Sequence, residues 1–146
     1  MSHVPASDSD RVRLFVYGLL LEGEREHALL QGSTLLGAIR TKPEYYLVDL
    51  GVYPALVPGG QVSVLGELYL VSKATRFELD VKRQCPILFQ RIRVTLEDGS
   101  EAEAYAMREE QVRGKRRLKL GDWRGRFSPQ PRPLSRSEFI QNLRRR

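Results

Sequence analysis

The sequence predicts an α+β domain: a small mixed β-barrel or curled sheet of about six or seven short strands with two outer helices. Three observations carry that expectation. Short runs rich in β-branched, aromatic and leucine residues recur along the first 107 residues, separated by Gly, Pro and Asp. Two stretches, Leu19–Gln31 and Lys73–Lys82, carry helix formers and terminal signals instead. At 146 residues, 41% hydrophobic and 29% charged, the chain has the size and composition of one globular domain.

The elements follow in order. Arg13–Tyr17 reads as a strand that Gly18 breaks. Leu19–Gln31 reads as a helix, with Glu22, Glu24 and Glu26 near its start and Gly32 as a stop. Thr34–Arg40 and Tyr45–Asp49 read as strands, and Val52–Val57 as a short edge piece, because Pro54 cannot donate to a ladder. Pro58-Gly59-Gly60 is a turn, and Val62–Val71 a long strand. Ser72 is an N-cap for the helix Lys73–Lys82. Ile87–Leu96 and Ala102–Met107 read as a hairpin turned at Glu97-Asp98-Gly99-Ser100.

Three units are expected: a disordered leader over 1–10, a domain over 11–125 and a basic extension over 126–146. Pro129, Pro131 and Pro133 keep the start of the extension extended. The spacing of Leu134, Phe139, Ile140 and Leu143 fits a short helix over Ser135–Arg146. Trp123 reads as a packing anchor.

Charge is divided unevenly. Residues 1–110 carry 12 Lys and Arg against 16 Asp and Glu; residues 111–146 carry 12 against 2. Three readings of the basic end stay open: a solvated tail, a segment docking on an acidic protein, and a contact to nucleic acid or an anionic membrane. Sparse aromatics among its cations argue against base stacking, so nucleic acid ranks below an acidic protein.

A single cysteine, Cys85, excludes an intrachain disulfide framework. With His3 and His27 alone beside it, a multi-cysteine zinc site is excluded too. Cys85 lacks a placed histidine partner and reads as a small buried side chain. No metal and no organic cofactor is expected. No apolar run reaches the roughly 18 residues of a membrane span, and the polar, acidic N-terminus does not read as a signal peptide. A cytoplasmic location is the default expectation.

Five motifs stand in order: Phe15-Val16-Tyr17-Gly18-Leu19-Leu20; Gly51-Val52-Tyr53-Pro54-Ala55-Leu56-Val57; Gly66-Glu67-Leu68-Tyr69; Leu79-Asp80 followed by Pro86, Leu88, Phe89 and Arg91; and Gly121-Asp122-Trp123. Together they resemble the γ-glutamylcyclotransferase-like superfamily, which includes γ-glutamylamine cyclotransferases and AIG2-like proteins. The resemblance runs from about Leu14 to Trp123. It implies the curled-sheet fold and a reaction in which the α-amine of a γ-glutamyl group attacks its own γ-carbonyl. That closes 5-oxoproline and expels an amine or peptide.

Such closure needs little help with proximity, because both partners belong to one substrate. It needs a base for the α-ammonium, and donors for the substrate's anionic groups and the oxyanion. The resemblance assigns the donors to the turn Tyr17, Gly18, Leu19, Leu20, and the base to a glutamate at position 83. Here that position holds Arg83, and the glycine after it is Gln84. A guanidinium stays protonated and cannot accept the proton. Loss of a general base lowers the rate roughly a hundred- to ten-thousand-fold.

Two more departures are expected at the same pocket. Leu19 stands where the family has Ser or Thr, and Phe89 where it has Tyr. The expected function is therefore a non-catalytic module that binds a γ-glutamyl or other small anionic ligand, or a partner. The alternative is an active cyclotransferase with a displaced carboxylate. Asp80 is the substitute considered, because Glu78 lies some 140° around the helix from Arg83. Glu67 sits at a common family position and is not expected to be the base.

Overall fold

A computed structural model describes residues 10–127. The alternating apolar runs pair into one curled sheet of eight strands. They are β1 (Arg11–Val16), β2 (Thr34–Arg40), β3 (Tyr45–Asp49), β4 (Pro54–Pro58), β5 (Leu65–Ser72), β6 (Gln90–Thr95), β7 (Glu101–Ala106) and β8 (Arg116–Arg117). The order across the sheet is β2-β5-β1-β7-β4-β3-β8, and β6 pairs with β7 as its hairpin partner. Most pairs are antiparallel; β7 meets β1 and β4 in parallel.

Period-two alternation sorts β1 between the two faces. Leu14 and Val16 join the buried cluster that includes Leu79 of the helix, while Phe15 and Tyr17 join the cluster that Trp123 seals. Trp123, expected as an anchor, is 2% exposed. The helix α1 (Lys73–Lys82) follows β5 directly, and the Ser72 hydroxyl accepts from the Thr75 N–H at 3.1 Å as its N-cap. Leu79 is its buried residue, worth about 1.5–3 kcal/mol.

The second expected helix, Leu19–Gln31, is not α-helical. The stretch is a run of turns ending in a 3-10 helix over His27–Leu30. Its hydrogen bonds run three residues back, from Leu21 to Gly18, Glu24 to Leu21 and His27 to Glu24, and the Glu26 N–H reaches Leu19 O. Gly23 adopts a positive φ of 85°, which an α-helix cannot use. The buried Glu67 carboxylate accepts from the Glu22 N–H at 2.8 Å and ties the loop to β5. A tertiary contact thus overrides a helical propensity.

Smaller corrections share one cause, the need to satisfy the backbone. β4 lies inside the sheet between β7 and β3, not at an edge. Pro54 is its first residue, where a missing N–H is tolerated, and the Leu56 N–H donates to the Tyr17 hydroxyl. The long strand starts at Leu65 rather than Val62, and the sixth at Gln90 rather than Ile87. Strand β8 was not anticipated from sequence. The leader over 1–9 and the extension over 128–146 lie outside the described residues. Among the described residues, no helix is long and apolar enough to cross a membrane.

Candidate functional site

The site begins where β1 ends. Tyr17 is buried, and its hydroxyl donates to the Tyr105 carbonyl at 2.5 Å while accepting from Leu56 N at 3.1 Å. Burial pushes its phenol up to about 12, so it is a neutral clamp between β7 and β4. The chain then turns at Gly18, whose carbonyl accepts from Leu21 N. A Cβ on Gly18 would lie 2.5 Å from Pro54 Cγ. Gly18 and Pro54, from two separate motifs, are thus one contact: the turn fits only without a side chain.

Opposite this turn, α1 ends. Arg83 is its C-cap, and Gln84 takes φ 52°, the left-handed conformation that a glycine adopts without strain. That is the position at which the resemblance expects glycine, so the geometry agrees with the register of the motif.

Tyr17, Gly18, Leu19, Leu20, Arg83 and Phe89 all line one small cavity of about 30 Å³, closed on its other sides by Tyr53, Pro54 and Tyr105. Leu19, Tyr53, Arg83 and Phe89 continue into an outer cavity of about 250 Å³. Residues far apart in sequence therefore meet in a single cleft: a narrow floor and a wider mouth.

The mouth contains a group that sequence reasoning missed. Glu26 lines the outer cavity, and its Oε1 lies 2.7 Å from Arg83 Nη2. Both side chains are less than one-fifth exposed. No sequence signal pairs residues 57 apart, and the helix expected over Leu19–Gln31 makes Glu26 one of its acids rather than a cleft residue. Neighbouring His27 holds the same loop, with Nδ1 2.9 Å from the Leu20 carbonyl, so that nitrogen carries its proton.

Asp80, the candidate substitute base, lies outside the cleft lining. Its carboxylate accepts from the Tyr105 hydroxyl at 2.6 Å and pairs with Arg91 Nε at 3.1 Å. Burial and that carboxylate together hold the Tyr105 phenol far above its ordinary pKa. Arg91 and Arg76 both pair with Glu103, which braces α1 against β6 and β7. Asp80 therefore supports the wall behind Tyr105. Glu78 is exposed on the helix surface, and Glu67 is committed to the Glu22 N–H and the Tyr69 hydroxyl. Among the described residues, no cluster of three or more His, Cys, Asp and Glu is placed to hold a metal ion.

Known proteins share this fold. The family model for gamma-glutamyl cyclotransferase, AIG2-like, matches residues 14–125. A putative gamma-glutamylcyclotransferase of Vibrio cholerae is 53% identical over 78 residues, spanning 53% of this chain and 67% of that protein. The gamma-glutamylcyclotransferase family protein YtfP of Escherichia coli is 34% identical over 112 residues, 77% of this chain and 96% of its own. Its solution structure superposes with a TM-score of 0.60, covering 76% of this chain and 95% of that one. The crystal structure of an AIG2-like protein from Mus musculus, 26% identical, gives a TM-score of 0.59 over 66% of this chain and 77% of its own. By its matched residues and by its fold, this chain belongs to the gamma-glutamyl cyclotransferase, AIG2-like family.

Proposed function

We propose that this chain is a member of its family that binds a small ligand carrying both charges, of the γ-glutamyl kind, without turning it over. The observation that supports this reading is the Arg83–Glu26 pair at the cleft mouth, 2.7 Å apart. A guanidinium cannot take a proton from an ammonium group, so position 83 supplies no base. Together the two side chains offer what an α-amino acid head group needs: a guanidinium for its carboxylate and a carboxylate for its ammonium. A ligand with both charges exchanges one ion pair for two, and no charge is left unpartnered in the half-buried cleft. The turn Gly18–Leu20 lines the inner cavity alongside, where the γ-carbonyl end would lie.

The leucine and phenylalanine at 19 and 89 fit binding better than catalysis. Both line the inner cavity with apolar surface where hydroxyls would otherwise help stabilise a developing oxyanion.

The competing reading, a cyclotransferase with a displaced carboxylate, now has Glu26 as its better candidate. Glu26 faces the outer cavity, whereas Asp80 is held by Tyr105 and Arg91. Purified protein incubated with γ-glutamyl amines and peptides separates the readings. Titration calorimetry should detect binding while 5-oxoproline stays at background. Turnover that survives stringent purification and disappears in Glu26→Gln would replace this proposal with the enzyme reading.

A further inference from the structure

The loop that carries Glu26 into the cleft is held from outside the cleft. Leu20 and Leu21 root its first half in the core, and Leu30 anchors its far end. From Glu22 to Leu29 no residue is fully buried. This second half lacks the apolar packing that fixes a backbone, and polar ties hold it instead. One tie is local: the Glu26 N–H donates to Leu19 O at 2.9 Å and closes the loop at its base. That bond leaves the crown of the loop free to pivot, and Glu22 is at the crown.

Glu22 is gripped through both of its backbone groups. Its N–H donates to Glu67 Oε1 at 2.8 Å, and its carbonyl accepts from Arg124 Nη2. The two gripping side chains face each other, with Arg124 Nη1 3.7 Å from Glu67 Oε2. The Tyr69 hydroxyl donates to Glu67 Oε1 at 3.1 Å from the same face of β5. The Tyr69 ring also lies against the His27 ring, with centroids 5.9 Å apart. Leu21, Glu67 and Arg124 line one crevice of about 60 Å³, where the loop and β5 meet the strap of residues 118–127 that follows β8.

The strap gives Arg124 a fixed origin. Trp123, its neighbour, is buried. The Gly121 carbonyl accepts from Leu65 N at 2.8 Å, and Gly121 takes φ 64°, where a Cβ would lie 2.4 Å from Ser63 O. The Arg124 N–H donates to Asp122 Oδ1 at 3.1 Å. Two motifs that the cleft lining leaves unexplained, Gly66-Glu67-Leu68-Tyr69 and Gly121-Asp122-Trp123, thus converge on Glu22. Stability is a poor account of this grip. Arg124 is half-exposed, and a pair 3.7 Å apart within reach of water contributes little. Its consequence is geometric: it fixes the direction in which the loop presents Glu26, 2.7 Å from Arg83.

We propose that Arg124 and Glu67 are positioning residues for the cleft, holding the loop at Glu22 so that Glu26 meets Arg83. Their effect on affinity rests on the ligand reading above; their effect on the loop does not. The test uses the full chain, with γ-glutamylalanine as the probe in titration calorimetry and hydrogen exchange to read the loop without ligand. Arg124→Gln should speed exchange across residues 19–31 about 5- to 10-fold and leave β1 and β7 unchanged. Glu67→Gln, which keeps the shape and removes the charge, should speed exchange in the same residues. Arg124→Gln should weaken probe binding about 3- to 10-fold. Glu26→Gln should weaken it about tenfold, and the Arg124→Gln/Glu26→Gln double variant should be no weaker than Glu26→Gln alone, because a clamp acting through Glu26 then has nothing left to position. Circular dichroism checks that each variant is folded. Losses that multiply in the double variant would show Arg124 acting by another route and overturn the proposal. Unchanged exchange over 19–31 in Arg124→Gln would overturn it as well. If the wild type binds no probe while the exchange pattern holds, the ligand reading fails and the positioning of the loop stands.

Discussion

The floor and the mouth of the cleft are built on different terms. At the floor the frame is tightly held: Gly18 abuts Pro54, and the Tyr17 hydroxyl is held between Tyr105 and Leu56. At the mouth, Arg83 and Glu26 meet across an opening of about 250 Å³. The residues that the family resemblance expects are present at the floor's frame and absent at the chemical positions 19, 83 and 89. Close packing penalises any change of volume at the floor, whereas the mouth accepts a change of charge if a partner neutralises it. Glu26 is that partner. The lesson is that a fold's frame and its chemistry can part company residue by residue.

Ways to break that contrast run from stability to chemistry. Gly18→Ala should have the largest effect on folding, because its Cβ would press on the Pro54 ring from 2.5 Å. A loss of about 1–3 kcal/mol in urea denaturation is expected, together with loss of ligand binding. A neutral Gly18→Ala would show the floor to be as tolerant as the mouth.

Tyr17→Phe comes next and carries a pH signature. The folded pKa of Tyr17 is raised to about 12 from 10.0 by burial. A raised pKa stabilises fully below the unfolded value and is lost as pH rises, so the window is about pH 10 to 12. The wild type should lose roughly 2–3 kcal/mol across it from this group. Tyr17→Phe should start about 1 kcal/mol less stable at pH 7, having lost two hydrogen bonds, and fall less steeply in alkali. Parallel alkaline curves for the two proteins would remove Tyr17 from the floor's ledger of buried groups.

Glu26→Gln should cost about 1 kcal/mol or less in stability, as expected for a pair that water still reaches. Its larger effect should be on ligand affinity, lowered about tenfold in calorimetry through loss of the ammonium contact. Unchanged affinity would exclude Glu26 from the ligand site.

Arg83→Glu combined with Glu26→Gln puts a carboxylate where the family resemblance expects one, without leaving two acids face to face. Release of 5-oxoproline should rise at least tenfold above the wild-type background, at the low end of what a general base contributes. A silent double variant would assign the remaining deficit to Leu19 and Phe89. Leu19→Ser, the smallest change, should leave stability within about 0.5 kcal/mol. A larger loss would show that Leu19, which lines both cavities, is packed as tightly as Gly18.

Much of this was legible before any coordinates. Alternation located β2 and β3 to the residue, and Ser72 announced α1, because strand pleat and N-capping are local. Motif order groups residues 17 to 20 with 83 and 89, and the fold sets all of them around one cavity. The helix expected over Leu19–Gln31 failed for a non-local reason, the Glu67 carboxylate catching the Glu22 N–H. The same misreading hid Glu26, since a helix would have turned its acids away in sequence rather than toward the end of α1. Asp80 was considered from spacing alone, which could not reveal Tyr105 and Arg91 already holding it.

By itself, then, the sequence determined seven of the eight strands, the helix α1, the turn at Gly18 and the presence of a fixed cation at position 83. Those depend on backbone sterics and on the intrinsic chemistry of single side chains. Only the tertiary structure decided which carboxylate answers Arg83 and why Gly18 and Pro54 require each other. Those depend on distances between residues remote in sequence, and charge and packing act through space rather than along the chain.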